Sequence, residues 1–134
     1  GLFQAATAAA RTLLPVAEAR LGLAAPPPVW SLSPWPADPF GWTLLAATPD
    51  TFLRLRYRLG DETARMDRFP RNLDAPEVRS IAGSFPEEVW RWFARYPIAA
   101  LEEGLPGRRL WLLDGRYDPT SGANWSSLAV DLKP

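Results

Sequence analysis

The chain has neither cysteine nor histidine among its 134 residues. Without thiol or imidazole it has no cysteine nucleophile, no Ser–His triad and no zinc centre of the Cys/His type. Its serines, Ser31, Ser33, Ser80, Ser84, Ser121, Ser126 and Ser127, therefore lack an imidazole base, and the single lysine, Lys133, is the penultimate residue. Long apolar runs are missing too. A membrane span needs about 20 mostly apolar residues, and the best stretch, residues 2–23, is interrupted by Gln4, Arg11, Pro15, Glu18 and Arg20. That stretch also lacks the basic start of a signal peptide. No glycine-rich phosphate loop occurs. Charge of one sign is not in excess: 15 basic and 15 acidic residues cancel, which excludes a polyanion binder driven by bulk charge. The first residue is Gly1 rather than Met, so a longer parent protein is expected.

What is present points to a folded domain. Hydrophobic residues make up 47% of the chain, too many for global disorder. The length fits a single domain, residues 1–134. All basic residues except Lys133 are arginine, whose planar fork suits anion recognition, although a GC-rich genome produces the same bias. Seven tryptophans are many for this length, and each needs a partner for its indole N–H when buried.

Ala6, Ala10, Leu13, Leu14, Ala17 and Leu21 recur at helical spacing, which predicts a helix over 3–21 that Pro15 kinks or splits and Gly22 stops. Residues 24–41 are rich in proline and carry Trp35 and Phe40, with Trp42 following, which predicts an ordered connector pinned by its aromatics. Two strands should follow, 42–48 and 51–59, joined at Thr48-Pro49-Asp50-Thr51. In the second, Thr51, Leu53, Leu55, Tyr57 and Leu59 alternate with Phe52, Arg54, Arg56 and Arg58 without a slip. Residues 60–73 read as polar and irregular. Asp74-Ala75-Pro76-Glu77 and Ser84-Phe85-Pro86-Glu87 read as capping boxes opening helices over 75–82 and 85–95. The second of these helices places Phe85, Val89, Trp92, Phe93 and Tyr96 together as its apolar side. A second hairpin is expected over 98–103 and 108–114, turning through a type II turn at Leu105-Pro106-Gly107-Arg108. A loop over 115–124 and a last strand over 125–132 close the chain. The expected fold is α+β, an antiparallel sheet of about five strands with helices packed on one face.

Three constellations carry the candidate chemistry. Arg54, Arg56 and Arg58 stand about 7 Å apart on one strand face, close to phosphate spacing, so lipid headgroups or a polyanion could dock there; a solvated, salt-bridged face gives the same pattern. Asp114, Arg116, Tyr117 and Asp118 place two carboxylates and an arginine at a strand end, which serves a hydrolytic pair, a hard-metal site or a structural turn. Glu102 with Glu103, and Glu87 with Glu88, are neighbours in sequence, and the first pair faces opposite sides of its strand.

Pro34-Trp35-Pro36-Ala37-Asp38-Pro39-Phe40-Gly41-Trp42, Trp92-Phe93-Ala94-Arg95-Tyr96-Pro97-Ile98 and Leu112-Leu113-Asp114-Gly115-Arg116-Tyr117 occur in an order and spacing that carry a likeness. Over about residues 10–132 the chain resembles the C-terminal soluble domain of bacterial inner-membrane proteins described as membrane-bound metal-dependent hydrolases. Asp38 stands where that pattern more often has Asn, and Gly115 where it has a bulkier residue. The resemblance implies a non-catalytic extramembrane accessory domain at the bacterial inner membrane. The partner it implies is the protein's own membrane-embedded N-terminal portion, with the membrane surface as a second contact and no nucleic acid. It implies no cofactor in this domain and places a divalent metal in the membrane portion. The expected binding residues are Arg54, Arg56, Arg58, Asp114, Arg116 and Tyr117, with no catalytic or metal-ligating residue assigned. Two rival readings are an anionic lipid or nucleic-acid binder working through the arginine face and a small carboxylate-based hydrolase.

Overall fold

Alanine is the strongest helix former, and the alanine-rich start forms helix α1, Leu2–Leu21. Gly22 ends it at φ 68, and the N–H groups of Gly22 and Leu23 donate to the carbonyls of Ala19 and Glu18 in a Schellman cap. Pro15 does not split α1, because it stands on the exposed side, where the carbonyl left without a donor is open to water. The computed structural model describes residues 1–104, 107–117, 119 and 126–132. Their elements continue as β1 Val29–Trp35, β2 Asp38–Ala47, β3 Thr51–Arg58, β4 Arg65–Pro70, α2 Pro76–Ser80, α3 Phe85–Phe93, β5 Pro97–Glu103, β6 Arg108–Asp114 and β7 Leu128–Leu132. The fold is α+β with antiparallel sheets, and the strands form two sheets rather than the single one expected: β1-β2-β3-β4 and β5-β6-β7. The chain divides into two compact units, Gly1–Phe69 and Pro70–Pro134.

In the first unit the register pairs Leu44 with Leu55 and Ala46 with Leu53 across β2 and β3. This face takes α1, so that Ala9, Leu13 and Ala17 pack with Trp42, Leu44, Ala46, Leu53 and Leu55. Burying each leucine is worth about 1.5–3 kcal/mol. Two expectations fail in this unit. The proline-rich stretch 24–41 is not a connector from end to end, because it holds β1 and the start of β2 as a hairpin. Its loop is Pro36-Ala37, with Ala37 at φ 60, the left-handed position that a type II turn requires. Residues 60–73 are not irregular throughout, because β4 lies within them; its polar residues fall on both faces, so no apolar alternation marks it.

In the second unit α2 and α3 cover one face of β5-β6-β7, and Val78 and Trp90 pack against Ala99, Leu110 and Leu112. The segment before α2 lines the edge of β5: Ala99 N–H donates to the Arg71 carbonyl and Asn72 Nδ2 to the Ala99 carbonyl. Ser84 caps α3 by accepting from Glu87 N–H, while Glu87 reaches back one residue further, to Gly83 N–H. Asp74 does not cap α2, whose N-cap is Ala75. The inward side of α3 also differs from the expected one. Trp90 is buried at 2% exposure, whereas Trp92 and Phe85 stand 85% and 79% exposed. The indole N–H of Trp90 explains this, donating to the Leu113 carbonyl at 2.8 Å. The expected turn at 105–108, the loop over 115–124 and the start of the last strand at Trp125 fall partly or wholly outside the described residues.

Candidate functional site

The alternation in β3 turns Phe52, Arg54, Arg56 and Arg58 to the face of the first sheet opposite α1. The neighbouring strand β4 adds Asp67 to this face. Its Oδ2 accepts from Arg54 Nε and Nη2 at 3.0 and 2.8 Å and from Arg56 Nη2 at 3.3 Å. Two of the three predicted arginines are therefore gathered on one carboxylate. The third, Arg58, pairs with Asp38 Oδ2 at 3.3 Å and lies 5.5 Å from the centre of the Phe40 ring.

Besides Asp67, three residues on this face are absent from the sequence-based candidates. Trp35 donates its indole N–H to Thr43 Oγ1 at 3.0 Å. Thr43 is the register partner of Arg56, so the two side chains are cross-strand neighbours. Arg65 lies two residues before Asp67 on β4, hence on the same side, and no hydrogen bond or ion pair engages its guanidinium among the described residues. Trp35, Thr43, Arg56 and Arg65 line a cavity of about 330 Å³. Among the described residues no carboxylate lines it. Arg56 Nε is buried without an acceptor. Arg65 shares its side of β4 with Asp67 and Phe69, but β4 has no apolar alternation from which the sequence could have shown it.

The other predicted site residues form a corner of the second unit. Asp114 ends β6 and is 2% exposed. Its carboxylate accepts from the backbone N–H groups of Arg95, Tyr96 and Arg116 at 3.3, 3.3 and 3.0 Å, and from Arg116 Nε at 2.8 Å. Arg116 Nη2 also donates to the Phe93 carbonyl, and the guanidinium lies 5.4 and 5.2 Å from the Phe93 and Tyr117 ring centres. The hydrogen bond that Arg116 donates to Asp114 holds its guanidinium above the usual arginine range, with desolvation opposing. The Trp92–Ile98 and Leu112–Tyr117 stretches are therefore two sides of one corner. Its carboxylate is directed at the chain's own N–H groups.

Asp118, the second carboxylate of the predicted pair, lies outside the described residues. Glu102 does not join Asp114. It pairs in register with Arg109, on the opposite face of the sheet from Leu110, Leu112 and Asp114, and its Oε2 accepts from Trp111 Nε1 at 2.7 Å. Arg109, held by Asp131 at 2.9 Å, is raised in pKa chiefly by that hydrogen bond. Among the described residues no three acidic, cysteine or histidine side chains come together to hold a metal ion, and no helix is long and apolar enough to cross a membrane. Comparison with protein-family models, with curated proteins and with solved structures finds no match to this chain.

Proposed function

We propose that this chain is a non-catalytic interaction module whose working surface is the arginine face of the first sheet, and that its partner is an anionic headgroup layer. One observation carries the reading: Arg65, on the same face as Arg54, Arg56 and Arg58, is an arginine without a counter-ion among the described residues. Among the described residues four guanidiniums stand there against two carboxylates, Asp67 and Asp38. A chain of zero net charge thus keeps a local positive surplus, the condition for docking on anionic lipid without bulk attraction. The likeness to membrane-bound metal-dependent hydrolases supports the same reading. On it, the module is the extramembrane part of a bacterial inner-membrane protein, and metal chemistry belongs to the membrane-embedded portion.

Cosedimentation with vesicles tests it. Vesicles of phosphatidylcholine with about a third phosphatidylglycerol should retain the chain at about 0.01 M salt and release it at 0.5 M salt, since the screening length falls from about 30 Å to about 4 Å over that range. Pure phosphatidylcholine should not retain it. Each arginine near the surface contributes about 1 kcal/mol, so R58A and R65A together should weaken retention by more than tenfold. Equal retention on both vesicle types, or none on either, would overturn the reading.

A further inference from the structure

The cavity on the arginine face has a donor set that asks for a particular ligand. Thr43 Oγ1 already accepts from Trp35, so its own hydrogen is left to donate. Arg65 offers a whole guanidinium. Arg56 gives one Nη2 contact of 3.3 Å to Asp67, and among the described residues its Nη1 has no acceptor. These donors come from three adjacent strands, β2, β3 and β4, with Trp35 of β1 as a fixed aromatic wall.

We infer that this cavity is a discrete site for one phosphate monoester carried on a small organic body that rests against Trp35. A planar carboxylate is filled by a single arginine fork, whereas donors on three strands match three terminal oxygens of a tetrahedral group. Two guanidiniums match a monoester's charge of about −1.5 to −2 at pH 7. The volume of about 330 Å³ sits at the lower end of small-ligand sites, roomier than a bare ion requires. The inference rests on the proposed use of the arginine face and narrows it to one pocket and one headgroup chemistry. The monoester comes either from a lipid such as phosphatidic acid or from a soluble metabolite.

The seven indole N–H resonances of the ¹⁵N-labelled chain give the readout, with Trp35 assigned by its loss in W35F. Phenyl phosphate should shift the Trp35 resonance saturably and more than the other six, with benzoate binding at least tenfold more weakly. R65A should weaken phenyl phosphate at least tenfold and R65K at least threefold, while R79A, on α2, should leave it unchanged. A Trp35 resonance that moves no more than the others, or R65A affinity equal to that of the parent chain, would overturn the site. Vesicles containing phosphatidic acid separate the sources: competition with phenyl phosphate marks a lipid headgroup, and phenyl phosphate binding without vesicle competition marks a soluble ligand. Loss of phosphatidylglycerol binding with phenyl phosphate binding intact removes the membrane reading and keeps the pocket. Vesicle binding with a silent Trp35 removes the pocket and keeps the membrane reading.

Discussion

The indole of Trp35 fills the space in which a side chain at Gly41 would stand. A Cβ placed on Gly41 would lie 2.0 Å from Trp35 Cε3 and 2.2 Å from Cδ2. Gly41 is needed here for this approach and not for its backbone angles. G41A should therefore cost about 1–3 kcal/mol, the usual range for overpacking, and should shift Trp35 off Thr43. Chemical denaturation reads the first effect. The second appears as a changed Trp35 indole resonance and weaker phenyl phosphate binding. A variant as stable as the parent chain with an unmoved Trp35 would contradict the contact.

Two buried tryptophans make a matched pair of tests. Trp42 is 3% exposed with its Nε1 unpartnered, whereas Trp90 is 2% exposed with its Nε1 bonded to the Leu113 carbonyl. An unsatisfied buried donor costs about 1–3 kcal/mol. W42F loses packing but removes that cost, so the two effects offset and the net change should stay within about 1 kcal/mol. W90F loses comparable packing and leaves a carbonyl without its donor, so it should destabilise by about 2–4 kcal/mol. Urea unfolding of both variants decides it. Equal losses would mean that Trp42 has a partner after all.

These cases mark what the sequence makes legible. The arginine face was readable in β3 because Leu53, Leu55 and Tyr57 alternate with Arg54, Arg56 and Arg58, and a period of two fixes which residues share a face. Its continuation was not readable: β4 carries Arg65, Met66, Asp67 and Arg68 in a row, with no apolar face to set the period. Asp67, the shared counter-ion, and Arg65, without one among the described residues, were missed for that reason. The proline-rich stretch misled in another way. Pro34, Pro36 and Pro39 argue against a central strand, but Pro34 lies on the edge strand β1, Pro36 sits in the turn, and Pro39 precedes the stretch Gly41–Ala47 in which β2 pairs with β3. In α3 a helical period placed Trp92 inside. The indole N–H of Trp90 and the Leu113 carbonyl rotate the helix instead, and no local pattern encodes a bond between residues 23 apart. The Asp114–Arg116 pair was legible as a turn, but not its reach back to Arg95 and Tyr96.

That reach makes Asp114 the most demanding position of the second unit. D114N keeps the shape but weakens the hydrogen bonds at 3.0–3.3 Å from three backbone N–H groups and leaves Arg116 without its carboxylate. Bonds to a charged acceptor are worth about 1.5–3 kcal/mol, so a loss of about 2–4 kcal/mol is expected, and D114A should lose more. The arginine's raised pKa fixes the sign of the pH dependence. A cation held above its ordinary value stabilises fully below that value and loses the contribution only as pH rises through the raised one. On the arginine side the pair is therefore insensitive to pH from neutrality through mild alkali. Thermal unfolding of the parent chain and D114N at pH 7 and pH 10 should show the same difference at both.

Asp67 is where stability and the proposed function pull apart. It is one-third exposed and pairs with Arg54 and Arg56, contacts worth about 0–1 kcal/mol each at a surface. D67N should therefore cost no more than about 2 kcal/mol and leave the fold intact. It also removes one of the two negative charges that offset the four arginines of the face. If those arginines dock on anionic headgroups, the local surplus rises by one charge, and retention on phosphatidylglycerol vesicles at low salt should strengthen about threefold to fivefold, with a steeper dependence on salt. The direction matters because a merely structural carboxylate would not produce it: its loss would loosen the sheet and weaken retention or leave it unchanged. Cosedimentation of D67N beside the R58A and R65A variants, all at one ionic strength, separates the two. An arginine face that binds should order them as D67N above the parent chain and the parent chain above the arginine variants.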